Sequence, residues 1–363
     1  MPTFKAILAT LPIPAKLAVS AILASVTKLI IQIPCLNEAA TLPATIRDLP
    51  RSVPGIDVVE VLVIDDGSKD GTAEVARTCG VEHVVRLRRN KGLAAAFMAG
   101  IDASLKAGAD YIVNTDADNQ YSAHDIPRLL GPLLSGEADI VIGDRNIAEL
   151  RHMSWRKRQL QRLGSWVVRQ VSNTTVPDTT SGFRAYTRDA ALRMTIVSEF
   201  SYTLESIIQA GKKRMAIAHV PVATNPRTRE SRLFDSVFSY IKRSVATIVR
   251  IYAMYEPLKV FTYLGLVVFG SGLALSVRFL YHYFTEEAFG PERHLQSLIA
   301  SAVLMILGFQ VLVIGLMADM ISGNRKHLED LLYRVRKLEL PQPRDAADAP
   351  AAGRPAQRDR WEP

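Results

Sequence analysis

The fold prediction depends on the stretch Asn114-Thr115-Asp116-Ala117-Asp118-Asn119-Gln120-Tyr121. It follows the apolar run Tyr111–Val113, which is typical of a buried strand in a parallel sheet. Because an open α/β sheet binds its ligands just beyond the carboxyl ends of its strands, this stretch lies where a site is expected. Asp116, Asp118 and Gln120 offer closely spaced hard oxygen atoms, which Mg²⁺ and Mn²⁺ prefer. The stretch therefore predicts a metal site, although a solvated acidic turn would show the same short pattern.

Apolar runs and helical patterns alternate on both sides of this stretch. Strands are predicted at Leu29–Pro34, Val58–Asp65, Val81–Leu87, Asp110–Thr115, Asp139–Gly143 and, at the sheet edge, Met215–Val222. Helices are predicted at Glu38–Leu49, Gly71–Thr78, Lys91–Lys106, Ser122–Leu134 and Tyr202–Ala210. Such alternation predicts right-handed βαβ units, and hence an α/β domain with a mostly parallel sheet covered on both faces. No Gly-x-Gly-x-x-Gly follows the first strand, which argues against a dinucleotide-binding Rossmann domain.

Each of the first five predicted strands is followed by a polar loop. These loops are Pro34–Glu38, Asp65–Thr72, Arg88–Gly92, Asp116–Asp118 and Gly143–Asn146. Lys91 and Gly92 at a helix amino terminus suit a diphosphate, while Asp65 and Glu38 are acceptors for ribose hydroxyl or base N–H groups. One such loop alone is ordinary turn chemistry. Five polar loops at one edge of a sheet predict a single binding crevice.

Five segments in this order resemble family 2 glycosyltransferases of the GT-A fold. They are Ile33–Glu38, Val63–Thr72, Asn90-Lys91-Gly92, Asp116–Gln120 and Thr180-Ser181-Gly182-Phe183-Arg184. The branch that the chain resembles is the polyprenyl- and dolichyl-phosphate glycosyltransferases, of the dolichyl-phosphate mannose synthase type. The resemblance covers residues 29–235, and it is specific because the whole set of segments occurs in one order.

The resemblance implies a role for each matching residue. The residues implied in nucleotide binding are Pro34, Asn37, Glu38, Asp65 and Asp66, to which the loop analysis adds Lys91 and Gly92. Asp118 and Gln120 become the metal ligands, with Asp116 beside the donor. Arg145 would face the donor and acceptor phosphates, and the acceptor phosphate would also meet Arg158, Arg162 and Arg229. Two departures from the family pattern are Arg162, where a serine is common, and Arg229, where the family has a glycine.

Glu205 lies in the predicted helix Tyr202–Ala210. A carboxylate at this position is a candidate to bind hydroxyl groups of the donor sugar or to act as a base, and we include it with Asp116 and Arg145 among the candidate catalytic residues. A surface glutamate of an ordinary helix is the alternative.

Charge is distributed unevenly along the 363 residues, whose formal net charge is +8. Six Lys or Arg residues fall in 151–169 and six in 212–232, as expected for contact with a polyanion or an anionic membrane surface. No nucleic-acid-binding motif accompanies them, so nucleic acid is not an expected partner. The two cysteines have neither metal-ligand nor disulfide-framework spacing, which fits a reducing compartment.

Two apolar runs near the carboxyl end, Val260–Val277 and Leu295–Ala318, are long enough to cross a bilayer. The linker between them is too short for a domain, so a transmembrane hairpin is predicted, with a buried core hairpin as the alternative. Lys242 and Lys259 precede the first run, and Arg325 follows the second. This basic bias places both ends of the hairpin, and the catalytic domain, in the cytoplasm.

The predicted organisation has six parts. They are an amino-terminal segment at 1–28 that contacts the membrane or is a cleaved signal, a GT-A domain at 29–232 with an interface helix at 151–172, a second interface helix at 233–257, the hairpin at 258–320, a cytoplasmic amphipathic helix at 321–340 and a disordered tail at 341–363.

The function predicted from these features is an inverting glycosyl transfer. One sugar would pass from a nucleotide diphosphate sugar, of the GDP-mannose or UDP-glucose type, to a polyprenyl phosphate at the cytoplasmic membrane face, with Mg²⁺ or Mn²⁺ as cofactor. One alternative is a membrane-anchored enzyme that acts on a saccharide or diacylglycerol and needs a general base. Another is a non-catalytic partner that retains the fold. A homo-oligomer remains open.

Overall fold

The protein was analysed as a computed structural model, which describes residues 26–145, 155–197, 202–225, 237–285 and 295–340. The described residues form two compact units. The first comprises the residues up to 225 together with Tyr333–Leu340, and the second comprises residues 237–332. Residues 1–25 of the predicted amino-terminal segment 1–28, and the predicted tail 341–363, lie outside the described residues.

A seven-stranded sheet forms the centre of the first unit. Its strands are β1 (Lys28–Cys35), β2 (Val58–Asp65), β3 (His83–Arg86), β4 (Tyr111–Asn114), β5 (Ile140–Asp144), β6 (Arg184–Thr187) and β7 (Ile217–Pro221). Their order across the sheet is β3-β2-β1-β4-β6-β5-β7. Strand β6 runs antiparallel to β4 and β5, and every other neighbouring pair is parallel. The prediction of a mostly parallel α/β sheet is confirmed.

The position of β1 determines where ligands can bind. It pairs with β2 on one side and with β4 on the other, both in parallel. Its neighbours in the sheet are thus reached by connections that leave in opposite directions, which opens a crevice at the carboxyl ends of β1 and β4. Leu29, Ile31 and Ile33 are fully buried, so this central strand is fixed by the core beneath the crevice.

The described residues of the first unit include seven α-helices outside the carboxyl-terminal segment Tyr333–Leu340. They are α1 (Leu42–Asp48), α2 (Thr72–Thr78), α3 (Leu93–Lys106), α4 (Ile126–Leu134), α5 (Trp155–Ser172), α6 (Arg188–Arg193) and α7 (Tyr202–Lys212). Helix α1 begins at Leu42, four residues later than predicted, because the preceding residues belong to the loop after β1 and Pro43 occupies the first turn. Strand β6 and helix α6 were not predicted. Strand β7 lies at the sheet edge, as predicted.

The second unit is helical. Its helices are α8 (Val237–Tyr255), α9 (Pro257–Thr285) and α10 (Leu295–Glu339), of which α10 continues beyond the unit. The prediction of a separate helix at 321–340 was wrong, because α10 is one uninterrupted helix of 45 residues. The sequence Ser322-Gly323-Asn324 contains no proline, and a single glycine weakens a helix without ending it.

Helices α9 and α10 pack through small residues spaced seven apart. These are Gly265 and Gly272 on α9, and Ser301, Gly308 and Gly315 on α10; Ser322, the next residue in the series, donates instead to the Met254 carbonyl oxygen of α8. A Cβ atom on Gly308 would lie 2.5 Å from the Phe269 backbone nitrogen, and one on Gly272 would lie 2.9 Å from the Ser301 carbonyl oxygen. The two backbones therefore approach closely, in antiparallel register, as small residues permit in membrane helices.

Both helices are long and apolar enough to cross a membrane. Only 11% and 17% of the residues in their most apolar windows are buried within the protein. A core hairpin of a soluble protein would bury most of these side chains, so this alternative is not supported. The predicted pair of apolar helices is present, and its exposed apolar surface is that of a membrane protein.

Candidate active site

The loops that follow β1 and β2 are joined by hydrogen bonds. The Asn37 backbone N–H donates to Ser68 Oγ at 2.9 Å, and Asn37 Oδ1 accepts from the Lys69 N–H at 3.0 Å. Asn37 adopts a left-handed backbone with φ of 56°, which asparagine tolerates better than most residues. The Glu38 N–H donates to Thr72 Oγ1 at 3.0 Å. The two loops predicted to bind the nucleotide therefore form one rigid surface at the carboxyl edge.

Both aspartates of the second loop hold backbone groups in place. Asp66 accepts from the N–H groups of Lys91 and Gly92, at 2.8 and 2.9 Å. Asp65 Oδ1 accepts from the Ser68 N–H at 2.8 Å, while its Oδ2 lies 3.3 Å from Arg86 Nε. Burial raises the pKa of Asp66, and the two backbone hydrogen bonds oppose this. The N–H groups of Lys91 and Gly92 are thus already bonded, which leaves the side chains of this loop, among them the Lys91 ammonium group, for a diphosphate contact.

The remaining residues predicted for the nucleotide lie beside these loops. Pro34 is buried in β1, and Glu38 is 8% exposed, with its Oε2 accepting from Thr41 Oγ1 at 2.7 Å. Their contact with a nucleotide stays a prediction.

The Asp116–Tyr121 loop leaves β4 as a tight turn. Asp118 Oδ1 accepts from the Gln120 N–H at 3.1 Å, and Asn119 takes a left-handed φ of 54°. The Asn225 side chain donates to the Asn119 carbonyl oxygen at 2.9 Å, and the Asn225 N–H donates to the Gln120 carbonyl oxygen at the same distance. The predicted metal-binding segment is therefore fixed by a hydrogen bond within its own turn and by hydrogen bonds from Asn225, which follows β7.

Gly182 lies against the carboxylate of Asp116. A Cβ atom at Gly182 would lie 3.1 and 3.2 Å from the two Asp116 carboxylate oxygens and 2.9 Å from the Tyr202 hydroxyl oxygen. Burial and the nearby Asp118 raise the pKa of Asp116 to about 7, against the opposing charge of Arg145. The absence of a side chain at Gly182 lets its backbone approach the Asp116 carboxylate closely, and the positive charge of Arg145 only partly offsets the effects of burial and of Asp118 on that carboxylate.

These features fit a divalent cation. Two carboxylates one residue apart, with raised proton affinity on one of them, favour a bound positive charge. The described residues contain no group of three or more His, Cys, Asp or Glu side chains that could hold a metal. A site with few protein ligands suits Mg²⁺ or Mn²⁺, which take their remaining ligands from substrate phosphates and water. Asp118, Gln120 and Asp116 are the residues that would hold it.

Arg145 is held by a buried aspartate that sequence analysis did not single out. Its Nε and Nη2 atoms donate to Asp178 at 2.7 and 3.0 Å, and Nη2 also donates to Thr180 Oγ1 at 2.8 Å. The guanidinium lies 5.9 Å from the centre of the Tyr121 ring. Burial alone would raise the pKa of Asp178, but Arg145 and the Thr180 hydrogen bonds hold it below its ordinary value. Arg145 thus reaches the crevice from a fixed ion pair.

A buried polar network lies behind the aspartates. Asn114 accepts from Gln32 Nε2 at 2.9 Å and donates to the Gly182 carbonyl oxygen at 2.8 Å and to the Tyr202 hydroxyl at 2.9 Å. Arg184, fully buried, donates to carbonyl oxygens of Thr179, Ser181 and Thr203 and to Ser206 Oγ. Two sequence signals indicated this network, namely Asn114, a polar residue that ends an apolar strand, and the segment Thr180–Arg184 of the family resemblance.

Glu205 is a buried residue, so the surface-glutamate alternative was wrong. It is 1% exposed, and its Oε1 accepts from the Val197 N–H at 3.0 Å. Its role as a base or a sugar ligand stays a prediction. Arg229 lies outside the described residues, and so do the side chains of Arg158 and Arg162, although both belong to the helical backbone of α5. The structure does not test the acceptor-phosphate role of these three arginines.

Known proteins match this arrangement in both units. The profile described as glycosyl transferase family 2 matches residues 30–194. An undecaprenyl-phosphate mannosyltransferase from Micrococcus luteus is 31% identical over 52% of this chain and 80% of its own length. The chain belongs to the family 2 glycosyltransferases. The profile described as the GtrB C-terminal hairpin matches residues 256–323, so the family 2 domain is joined to a recognised membrane hairpin.

Two further relatives and a solved structure extend the comparison. Glycosyltransferase AglJ from Haloferax volcanii is 29% identical over 84% of this chain and 96% of its own length. Polyprenol monophosphomannose synthase from Mycolicibacterium smegmatis is 28% identical over 54% of this chain and 76% of its own length. Glucosyl-3-phosphoglycerate synthase from Mycobacterium tuberculosis, solved with Mn²⁺ and UDP-glucose, aligns with a TM-score of 0.51 at 23% identity, covering 64% of this chain and 82% of that one. The GT-A fold is confirmed.

Proposed function

We propose that this protein transfers one sugar from a nucleotide diphosphate sugar to a polyprenyl phosphate, with inversion at the anomeric carbon and with a divalent metal. The observation that carries the proposal is the convergence of Asp116, Asp118 and Arg145 at the carboxyl edge of the sheet, beside the rigid β1 and β2 loops. Carboxylates for a metal, a cation for phosphate and a polar surface for a nucleotide are the groups that such a transfer needs.

The acceptor is inferred from the relatives and from the hairpin. Two of the relatives are named for transfer of mannose to a polyprenyl or undecaprenyl phosphate. Helices α9 and α10 are long and apolar enough to keep the protein in the bilayer that holds such a lipid. Lys259 before the hairpin and Arg325 after its apolar part favour a cytoplasmic catalytic unit, where nucleotide sugars are made.

The chemistry requires charge stabilisation more than proton removal. A phosphate monoester has a second pKa of about 6, so it is largely ionised at neutral pH and can attack without a strong base. One acceptor oxygen forms a bond to the anomeric carbon while the bond from that carbon to the donor's β-phosphate oxygen breaks. The electron pair leaves with the nucleoside diphosphate. A bound divalent metal supplies Lewis-acid stabilisation of the diphosphate charge.

The residues of the chain would divide the remaining work. Asp118, Gln120 and Asp116 would hold the metal, and the loop bearing Asn37 and Asp65 would hold the nucleoside. Arg145 would lie against the phosphates and offset the repulsion between acceptor and donor. Because Gly182 carries no side chain, the Asp116 carboxylate can pack against its backbone, and this contact would fix the position of Asp116 beside the donor.

A transfer assay in detergent tests this proposal. Radiolabelled GDP- and UDP-sugars would each be offered to undecaprenyl phosphate, dolichyl phosphate, diacylglycerol and a soluble oligosaccharide, with Mn²⁺ or Mg²⁺. The proposal expects metal-dependent label in a polyprenyl phosphate alone, and in the opposite anomeric configuration from the donor. The Asp118→Ala variant should lose the label.

Two other outcomes would contradict the proposal. Label in diacylglycerol or oligosaccharide would indicate a hydroxyl acceptor, and then Glu205→Gln should abolish turnover while donor binding persists. Nucleotide binding without transfer to any acceptor would indicate a non-catalytic member of the family.

A further inference from the structure

Both carboxylate oxygens of Asp178 accept hydrogen bonds from neighbouring groups, and the main partner is the guanidinium of Arg145. Asp178 is fully buried, and its Oδ1 and Oδ2 each accept a hydrogen bond from Arg145. Oδ1 also accepts from the backbone N–H and the hydroxyl of Thr180, at 3.2 and 3.0 Å. A bidentate carboxylate–guanidinium pair fixes the plane of the guanidinium as well as its position.

The pairing leaves one edge of the guanidinium available. Nε and Nη2 are engaged by Asp178 and Thr180, whereas Nη1 donates to no atom of the described residues. The Arg145 side chain keeps 14% of its surface exposed, compared with none for Asp178. Nη1 is therefore the part of Arg145 that can meet a ligand from the crevice.

The loop that holds Arg145 is also tied to the metal-binding segment. The Tyr121 hydroxyl accepts from the Gly182 N–H at 3.0 Å, and its ring stacks on Phe183 with centroids 5.1 Å apart. Gly182 in turn lies against Asp116. The segment 178–183 thus contacts Arg145 at one end, and Tyr121 and the Asp116 carboxylate at the other.

We infer that Asp178 is the positioning residue of the transfer reaction. It holds the Arg145 guanidinium so that Nη1 is presented to a phosphate oxygen while the segment that follows it sets the place of Asp116. This inference rests on the proposed function, and it adds a residue that neither the metal-binding motif nor the loop pattern indicated.

The main alternative is that Asp178 only stabilises the fold. Removing one partner of a buried ion pair commonly destabilises a protein strongly, so loss of activity alone would not distinguish the two roles. The two roles differ in how Asp178 and Arg145 combine. If Asp178 acts through Arg145, replacing Asp178 should not lower kcat further once Arg145 has been replaced. If Asp178 is only structural, its replacement should lower kcat by the same factor in either background.

A double-mutant cycle tests the inference on full-length protein in detergent. Asp178→Asn keeps the shape and removes the charge, and it is expected to lower kcat about a hundredfold with donor KM changed less than about threefold. Asp178→Glu, which restores the carboxylate, should recover about tenfold of the loss. Arg145→Lys with Asp178→Asn should be no slower than Arg145→Lys alone. Independent, multiplying effects in the double variant would overturn the inference.

Two further variants keep the test valid if Asp178→Asn folds poorly. Thr180→Val removes the hydroxyl contacts to Arg145 Nη2 and Asp178 Oδ1 but keeps the charge pair itself, and it should lower kcat about tenfold while the Tm falls by only a few degrees. Asp110→Asn is the matched control, because Asp110 accepts the Lys28 N–H at 2.8 Å at the opposite edge of the sheet. It should retain the wild-type kcat. An unchanged kcat in Thr180→Val would contradict the inference.

A measurement without substrate separates this inference from the proposed function. Phenylglyoxal modification of Arg145, followed by peptide mass spectrometry, should be slow in the wild type and about tenfold faster in Asp178→Asn, because the charged pair suppresses the neutral form that reacts. Faster modification in a protein that transfers no sugar would refute the proposed function and leave the pairing intact. Equal modification rates together with a wild-type kcat in Asp178→Asn would refute the positioning role alone.

Discussion

We call the side of the sheet at which strands β1–β5 begin its amino edge, and the side at which they end its carboxyl edge. Carboxylates lie at both, in different surroundings. At the amino edge, Glu60 lies 3.0 Å from Lys28 Nζ and 2.7 Å from His83 Nε2, and Asp110 accepts the Lys28 N–H. At the carboxyl edge, Asp116 and Asp118 lie one residue apart, and their mutual repulsion raises the pKa of Asp116 beyond the effect of burial.

The difference shows which charges serve the fold and which serve a ligand. An ion pair formed within the fold adds to stability, while two close carboxylates reduce it until a cation binds. Residues of the amino edge should therefore affect stability with little effect on turnover. Residues of the carboxyl edge should do the reverse, and the following predictions test this from the largest effect to the smallest.

Removal of the metal should give the largest effect. Chelation by EDTA is expected to lower transfer about a thousandfold, since a metal contributes several kcal/mol of charge stabilisation in such reactions. Readdition of Mn²⁺ or Mg²⁺ should restore the rate and raise the Tm slightly, because a bound cation offsets the repulsion between the two carboxylates. Full activity in a metal-free buffer would remove the functional reason for the paired carboxylates.

Gly182→Ala should be next. Its Cβ would lie 3.1 Å from one Asp116 oxygen and 2.9 Å from the Tyr202 hydroxyl, so the carboxylate must shift. We expect kcat/KM to fall between about tenfold and a hundredfold. Gly131→Ala is the matched control, because Gly131 lies exposed in helix α4 with no atom within 4 Å of a Cβ there. That variant should keep its activity and gain a little stability. Equal activities of Gly182→Ala and Gly131→Ala would show that the exact position of the Asp116 carboxylate does not matter for transfer.

Glu60→Gln should change stability and leave kcat unaltered. The hydrogen bond from His83 and the pairing with Lys28 hold the pKa of Glu60 below its ordinary value of 4.5, against the effect of burial. The ionised side chain therefore contributes stability above that value, and the contribution disappears as pH falls through the lower folded pKa. At pH 7 the Tm should drop by roughly 2–4 °C, which corresponds to a loss of about 1 kcal/mol in the free energy of unfolding. The difference from wild type should close well below pH 4.5, and a constant difference across pH would contradict this assignment.

Tyr333→Phe should have the smallest effect. Tyr333 donates to Asp189 Oδ1 at 2.6 Å and lies under the Arg193 guanidinium at 4.1 Å, beside α6 within the first unit. The lost hydrogen bond is solvent-exposed, so we expect the free energy of unfolding to decrease by about 0.5 kcal/mol and the Tm by roughly 1–2 °C. Thermal melts in detergent would measure it. A large loss of transfer would mean that this contact also serves the site.

The sequence supports these predictions to different degrees. The five parallel strands of the crevice were predictable because each is a short apolar run that ends in a polar loop, and Asp116 and Asp118 stand out within a few residues. Strand β6 was not, because it begins with Arg184, whose burial depends on carbonyl groups from Thr179 to Thr203. The pairing of Arg145 with Asp178 joins residues 33 apart, and no local pattern indicates it.

The hairpin region shows a second limit of sequence reasoning. Apolar runs gave the two membrane helices, but hydropathy does not indicate whether a helix stops where polar residues begin. Helix α10 continues to Glu339, and Arg336 donates to the carbonyl oxygens of Leu192 and Met194 in the first unit. Such contacts depend on the tertiary fold, so the sequence-based boundary at 320 was placed from polarity alone.

The most direct test of the account compares the two edges within one assay. Asp118→Asn and Asp110→Asn each remove one carboxylate charge, and their transfer of labelled sugar to polyprenyl phosphate would be measured with Mn²⁺ in parallel with their Tm. The account predicts that Asp118→Asn loses about a thousandfold of activity at the wild-type Tm, while Asp110→Asn keeps its activity at a lowered Tm. An active Asp118→Asn variant, or an inactive Asp110→Asn variant that remains folded, would contradict it.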